Sequence, residues 1–191
     1  LSVSIKEHYM KKLWKVSGCA VSSAVLTGCA LFNPLASFDE TAVVIGKSGE
    51  IRELVVESFS EASYSEAEFE SFIYSQEESY NALEEDSVTI DRVRLKGGRL
   101  RMEATYADAY AYSGFNGIIF EITDFDAWEA KDSLSEELLA QMTGSPKYVL
   151  TTNGIFLVRV PEKIWYAGED VTVTDEKTAK TSGSDSVIIY E

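Results

Sequence analysis

The sequence predicts one α+β domain over residues 41–191, built of antiparallel β-hairpins, one main amphipathic helix and a β-rich C-terminal portion. Three observations lead there. Two pairs of runs rich in β-branched and apolar residues are joined by glycine turns, one at Gly46–Gly49 and one at Gly97-Gly98. Between them, Ser65 to Leu83 shows helical periodicity behind a complete N-terminal cap signature. From Pro146 onward, short strand-like runs alternate with polar turns as far as the last residue. No long linker rich in Pro, Gly or Ser divides this stretch, so a single core is expected.

Ahead of the domain, Leu1–Tyr9 precede a methionine that opens its own segment, and they read as an upstream extension or tag outside the fold. Residues 10–28 begin with the basic Met10-Lys11-Lys12-Leu13-Trp14-Lys15, pass through a short apolar middle and end in small residues. That order is a secretory signal. Its apolar part falls far short of the roughly 20 residues that a bilayer span requires. Leu26-Thr27-Gly28-Cys29 resembles the lipobox of bacterial lipoproteins. The resemblance implies cleavage before Cys29, a diacylglyceryl group on its thiol, and an extracytoplasmic protein held by lipid to the outer face of the bacterial cell membrane. An ordinary secretory signal and a buried apolar helix are the competing readings. A second near-match, ending at Cys19, lies too close to Lys15 to leave an apolar segment before it.

Charge and residue usage exclude most familiar chemistry. The whole chain carries −15, and loss of residues 1–28, with four lysines and one glutamate, leaves −18. Such a charge argues against nucleic acid and anionic lipid headgroups as general partners. The only histidine is His8 and the only cysteines are Cys19 and Cys29. Beyond residue 29 there is thus no imidazole or thiol for a Ser-His-Asp, Cys-His or zinc site, and no disulfide. No catalytic residue, cofactor or metal is expected.

Residues 29–40 read as lipid anchor and tether, with an extended reach of about 35–40 Å. Leu31, Phe32, Leu35 and Phe38 are unlike a flexible linker, so part of the tether is expected to pack on the domain or dip into the membrane interface. A partner-binding segment is the alternative. Thr41–Ile45 and Ile51–Glu57 form the first expected hairpin. In the helix, Ser65 and Glu68 make a capping box, with Tyr64 and Phe69 at the staple positions. Phe69, Phe72, Ile73, Gln76, Tyr80 and Leu83 then share one face. Core is the expected role of that stripe, with a carbohydrate-stacking platform as the other reading.

Pairing outward from Gly97-Gly98 as a type I′ turn sets Val93 against Met102 and Leu95 against Leu100 on one face. On the other face stand Arg92 against Glu103, Arg94 against Arg101, and Lys96 against Arg99. Val88 and Ile90 are out of phase with Val93, so a bulge near Asp91 is expected. Arg92, Arg94, Lys96, Arg99 and Arg101 make the candidate anion-binding face. The other reading is a solvated face, or one lying near the helix glutamates. Like charges directly opposite each other, at Arg94 and Arg101, favour a partner.

Residues 106–117 predict a short helix ended by glycine, with Tyr106, Tyr110, Tyr112 and Phe115 clustered as core or as a sugar or peptide groove. Ile118–Ile122 predicts a strand, and residues 123–130 and 133–142 predict short helical pieces. Asp124, Asp126, Glu129 and Asp132 lack the glycine and terminal glutamate of a calcium loop. Tyr148–Thr152 and Ile155–Val160 flank Asn153-Gly154 and predict a hairpin. Further strands are expected at Lys163–Tyr166, Val171–Thr174, Thr178–Thr181 and Val187–Tyr190, the last as a paired C-terminal strand.

The order of these pieces resembles a group of uncharacterised lipoproteins from Gram-positive gut anaerobes. It comprises the lipobox, the Gly-x-x-Gly hairpin followed by Leu54-Val-Val-Glu-Ser-Phe59, the capped acidic helix, Val88-Thr-Ile90 with the Gly-Gly hairpin, Phe115-Asn-Gly117 and the β-rich tail. The resemblance implies a location rather than an activity, with Cys29 the one functional residue carried over. The expected function is a non-enzymatic binding or scaffolding module of the cell envelope. Its partners would be the membrane, through Cys29, and a cell-wall polymer or envelope protein. The alternatives are a carboxylate-based glycan hydrolase and a small solute or cation-binding lipoprotein.

Overall fold

The first two strands, β1 (Ala42–Ile45) and β2 (Ile51–Ser58), pair antiparallel with Ala42 opposite Leu54 and Ile45 opposite Ile51. They belong to a computed structural model that describes residues 34–58, 65–142 and 146–191. The expected signal and lipobox with Cys29, the tether residues Leu31 and Phe32, and the expected staple residue Tyr64 lie outside the described residues. Pro34–Glu191 forms one compact unit that holds both sheets, the helices and the core clusters, so it contains what it needs to fold by itself.

The second hairpin joins β3 (Val88–Lys96) to β4 (Arg99–Tyr106). Gly97 and Gly98 have φ of 59° and 74°, the left-handed pair that a type I′ turn demands. The register matches expectation: Arg94 faces Arg101, Leu95 faces Leu100, and the pairing slips between Ile90 and Arg92. That slip is the bulge at Asp91, whose carboxylate accepts a hydrogen bond from Thr105 Oγ1 at 2.7 Å.

Seven strands make the larger sheet. With β7 (Leu157–Arg159), β9 (Val171–Asp175) and β10 (Thr178–Thr181), its order is β3-β4-β2-β1-β7-β10-β9. One pair departs from the antiparallel expectation, since β1 and β7 run parallel. A smaller antiparallel sheet holds β5 (Phe120–Asp124), β6 (Tyr148–Thr152), β8 (Ile164–Ala167) and β11 (Ser186–Tyr190) in the order β5-β6-β11-β8. The C-terminal strand is therefore central and paired on both sides, as its apolar sequence predicts.

Asn153-Gly154 is not a hairpin turn. β6 and β7 belong to different sheets, and Gly154 does not have the positive φ that a type I′ turn needs. The dipeptide instead carries the chain from one sheet to the other. Asn153 extends the pairing with β5, as its backbone N–H donates to Ile119 O and its Oδ1 accepts from Ile119 N–H. A Cβ on Gly154 would stand 2.1 Å from the Phe156 ring, so the glycine serves close approach.

Helix α1 (Glu66–Asn81) begins with the expected capping box of Ser65 and Glu68. It lies along the outer edge of β3 rather than over the face of the sheet. Glu66 Oε1 accepts from Leu95 N–H, Glu77 Oε1 from Ile90 N–H and Asn81 Oδ1 from Val88 N–H, at 3.0–3.1 Å. These bonds occupy edge donors that would otherwise invite another strand. Of the apolar stripe only Phe69 and Ile73 are buried, and Leu83, beyond the C-cap, is 71% exposed.

Helix α2 (Ala109–Asn116) starts at Asp108, which caps Ala111 N–H, and ends at Gly117. It brings Tyr112 against Phe120, Tyr106 and Phe156, and Phe115 against Tyr80 and Tyr106, in a buried aromatic run. Tyr110 points outward and is 70% exposed. Of the expected cluster, Tyr106, Tyr112 and Phe115 are therefore core, and Tyr110 is not. Residues 125–142, with the short helix α3 (Glu136–Gln141), cover the second face of the smaller sheet through Phe125, Met142, Leu138 and Leu139 on Val149 and Ile189. Among the described residues no helix is long and apolar enough to cross a membrane.

Candidate functional site: a cationic sheet face

Strand alternation places Arg92, Arg94, Lys96, Arg99 and Arg101 on one face, opposite the buried Val93, Leu100 and Met102. The sheet order extends that face. Leu54 and Val56 on β2 stand beside Glu103 and Arg101, Ala42 and Val44 on β1 beside Leu54 and Arg52, and Leu157 and Arg159 on β7 beside Ala42 and Val44. Lys180 on β10 follows beside Leu157. Arg52, Arg159 and Lys180 thus join the five cations of the hairpin. Sequence reasoning missed these three, because only the pairing of remote strands aligns them.

The middle of this face is covered by the chain's own residues 34–40. Leu35 and Phe38 are 3% and 6% exposed and pack on Ala42, Val44 and Leu54, with Val56 and Leu157 at the margin. Full burial of two such side chains contributes about 1.5–3 kcal/mol each. The cations fasten the segment in place. Arg99 Nη2 donates to Asp39 O at 2.8 Å, and Arg101 Nη1 to Phe38 O at 3.3 Å. Arg159 lies 4.9 Å from the centre of the Phe38 ring, and Lys180 pairs with Glu40 at 2.6 Å. The stretch expected to be tether is, from Pro34 on, part of the domain.

Five cations of the hairpin thereby acquire different roles. Arg99 and Arg101 hold the N-terminal segment. Arg92 and Arg101 flank the mostly buried Glu103 at 4.0 and 3.8 Å, so one carboxylate offsets part of the repulsion between Arg94 and Arg101. Arg94 and Lys96 are exposed and have no ion pair or side-chain hydrogen bond among the described residues. They remain the candidate anion-binding groups of this face.

The carboxylates are arranged otherwise. Glu53 is 5% exposed, on the core side of β2, and accepts from Tyr106 OH at 2.6 Å and Tyr112 OH at 3.1 Å. Asn116 Nδ2 closes the network by donating to the Tyr106 hydroxyl oxygen at 3.2 Å. Burial pushes the Glu53 carboxyl above its ordinary range, opposed by the bonds from Tyr106, Tyr112 and Asn116 and assisted by the charge of Glu57. A raised carboxyl among aromatic rings is what a glycosidase acid needs. Here, however, it lies in the core with both oxygens occupied by tyrosine hydroxyls, rather than lining an open site. At the surface, Lys47 and Lys177 hold Glu162 down to about 2 by hydrogen bonds and charge. Asp126 pairs with Lys131, and no group of three or more His, Cys, Asp or Glu converges among the described residues.

Comparison with known protein families, curated proteins and solved structures found no match to this chain.

Proposed function

We propose that the chain is an extracytoplasmic lipoprotein, held to the outer face of the bacterial cell membrane by lipid on Cys29, whose domain is a non-enzymatic binding or scaffolding module of the cell envelope. The observation that carries this reading is the packing of residues 34–40 on the cationic face. With Pro34 fixed to the domain, only residues 30–33 separate it from Cys29, and five Cα steps span at most about 18 Å. A domain on so short a leash works at the bilayer surface. The lack of histidine and thiol beyond residue 29, and the buried position of Glu53, favour binding over catalysis.

Replacement of the anchor tests the reading. Cys29→Ser should abolish labelling by a palmitate analogue and move the protein from the membrane fraction to the soluble one, whereas Cys19→Ser should do neither. Membrane retention and labelling of the Cys29→Ser chain would overturn it.

A further inference from the structure

We infer that the cationic face of the larger sheet docks on the anionic phospholipid headgroups of the membrane that carries the chain. The inference rests in part on the anchoring proposed above. Net charge alone argues against such a partner; its distribution over the fold argues for it. Arg52, Arg92, Arg94, Lys96, Arg99, Arg101, Arg159 and Lys180 stand on one face of a chain whose formal charge is −15. Residues 34–40 cover the middle of this face, and beyond them Arg92, Arg94 and Lys96 stand exposed along β3, where they can meet a layer of phosphates together. Arg94 and Lys96 have no partner among the described residues to give up on doing so.

The course of the chain points the same way. The first described residues, 34–40, lie on this face, where Leu35 and Phe38 are buried. A lipid within about 18 Å of Pro34 brings the bilayer to the cations rather than to the opposite side of the domain. Attraction to phosphate then sets which side of the domain faces the bilayer, an orientation that the two acyl chains of a diacylglyceryl group do not impose by themselves.

The test uses the Pro34–Glu191 unit, without lipid, in flotation with vesicles. Binding is expected to phosphatidylcholine vesicles containing about a third phosphatidylglycerol, not to pure phosphatidylcholine, and it should weaken as salt rises. Arg94→Glu combined with Lys96→Glu should reduce binding at least tenfold, at about fivefold per surface charge lost, with an unchanged melting temperature. Lys147→Glu, an exposed change on the smaller sheet, should leave binding nearly intact. Failure to float, equal binding to neutral vesicles, equal loss with Lys147→Glu, or retention on polyglycerol phosphate without vesicle binding would each overturn the inference. None of these outcomes involves Cys29, so they are separable from failure of the anchor.

Discussion

Phe38→Ala is expected to destabilise the domain by about 3–5 kcal/mol, the range for truncating a buried phenylalanine. Phe38 lies between the Arg159 guanidinium and the apolar strip of Ala42, Val44 and Leu54, and its removal opens a cavity that the rigid sheet cannot close. A domain begun at Thr41 should lose still more. It forfeits Leu35 as well as Phe38, and it leaves Arg99 and Arg101 without the carbonyls of Asp39 and Phe38. Urea unfolding of the two starts, at Pro34 and at Thr41, measures the difference directly. Equal midpoints would show that residues 34–40 are a tether after all, and the short leash proposed for the anchor would be lost.

The second large effect concerns the buried carboxyl. Glu53→Ala should cost on the order of 3 kcal/mol or more, since two tyrosine hydroxyls in the core lose their acceptor and each unsatisfied group costs about 1–3 kcal/mol. Glu53→Gln keeps an acceptor and removes the ionisable group, and this variant isolates the pH effect. The carboxyl is raised in the folded state above its ordinary value of 4.5. At a pH between that value and the folded one, the folded protein holds a proton that the unfolded chain has released. The stability Glu53 contributes is therefore fully present below about pH 4.5 and is lost as pH rises through the raised folded value. Glu57 and Glu77, raised chiefly by burial, act in the same direction, and Glu162, held low by Lys47 and Lys177, in the opposite one. Relative to Glu53→Gln, the unaltered chain should become less stable as pH rises above 4.5. A difference that stays constant as pH rises above 4.5 would contradict a raised carboxyl at Glu53.

What was legible in the sequence was local. Gly97-Gly98 sets its own turn, so every pair from Lys96–Arg99 to Arg92–Glu103 follows by counting, and the phase change at Val88 and Ile90 reveals the bulge. Ser65 and Glu68 are three residues apart and satisfy each other wherever the helix packs. Asn153-Gly154 carries the same kind of signal, yet there the partners come from far along the chain. β6 is claimed by β5 and β11, β7 by β1 and β10, and tertiary pairing overrides the turn preference.

The extent of the cationic face was hidden for a related reason. Arg52, Arg159 and Lys180 are isolated basic residues in their own strands, and only the order of the larger sheet makes them neighbours of the hairpin. Glu53 gives no local sign either, since its hydroxyl partners lie more than fifty residues away on β4 and α2. Leu35 and Phe38 did announce themselves by their apolarity in a segment that reads as linker. The surface they cover becomes visible only in the fold.

The most direct measurement is the intact mass of the protein extracted from membranes with detergent. A chain that begins at Cys29 and carries the mass of a diacylglyceryl group, with acyl fragments released from that residue on dissociation, is the predicted result. A chain that begins elsewhere, or that carries Cys29 unmodified, would contradict the anchor and with it the membrane setting of the domain.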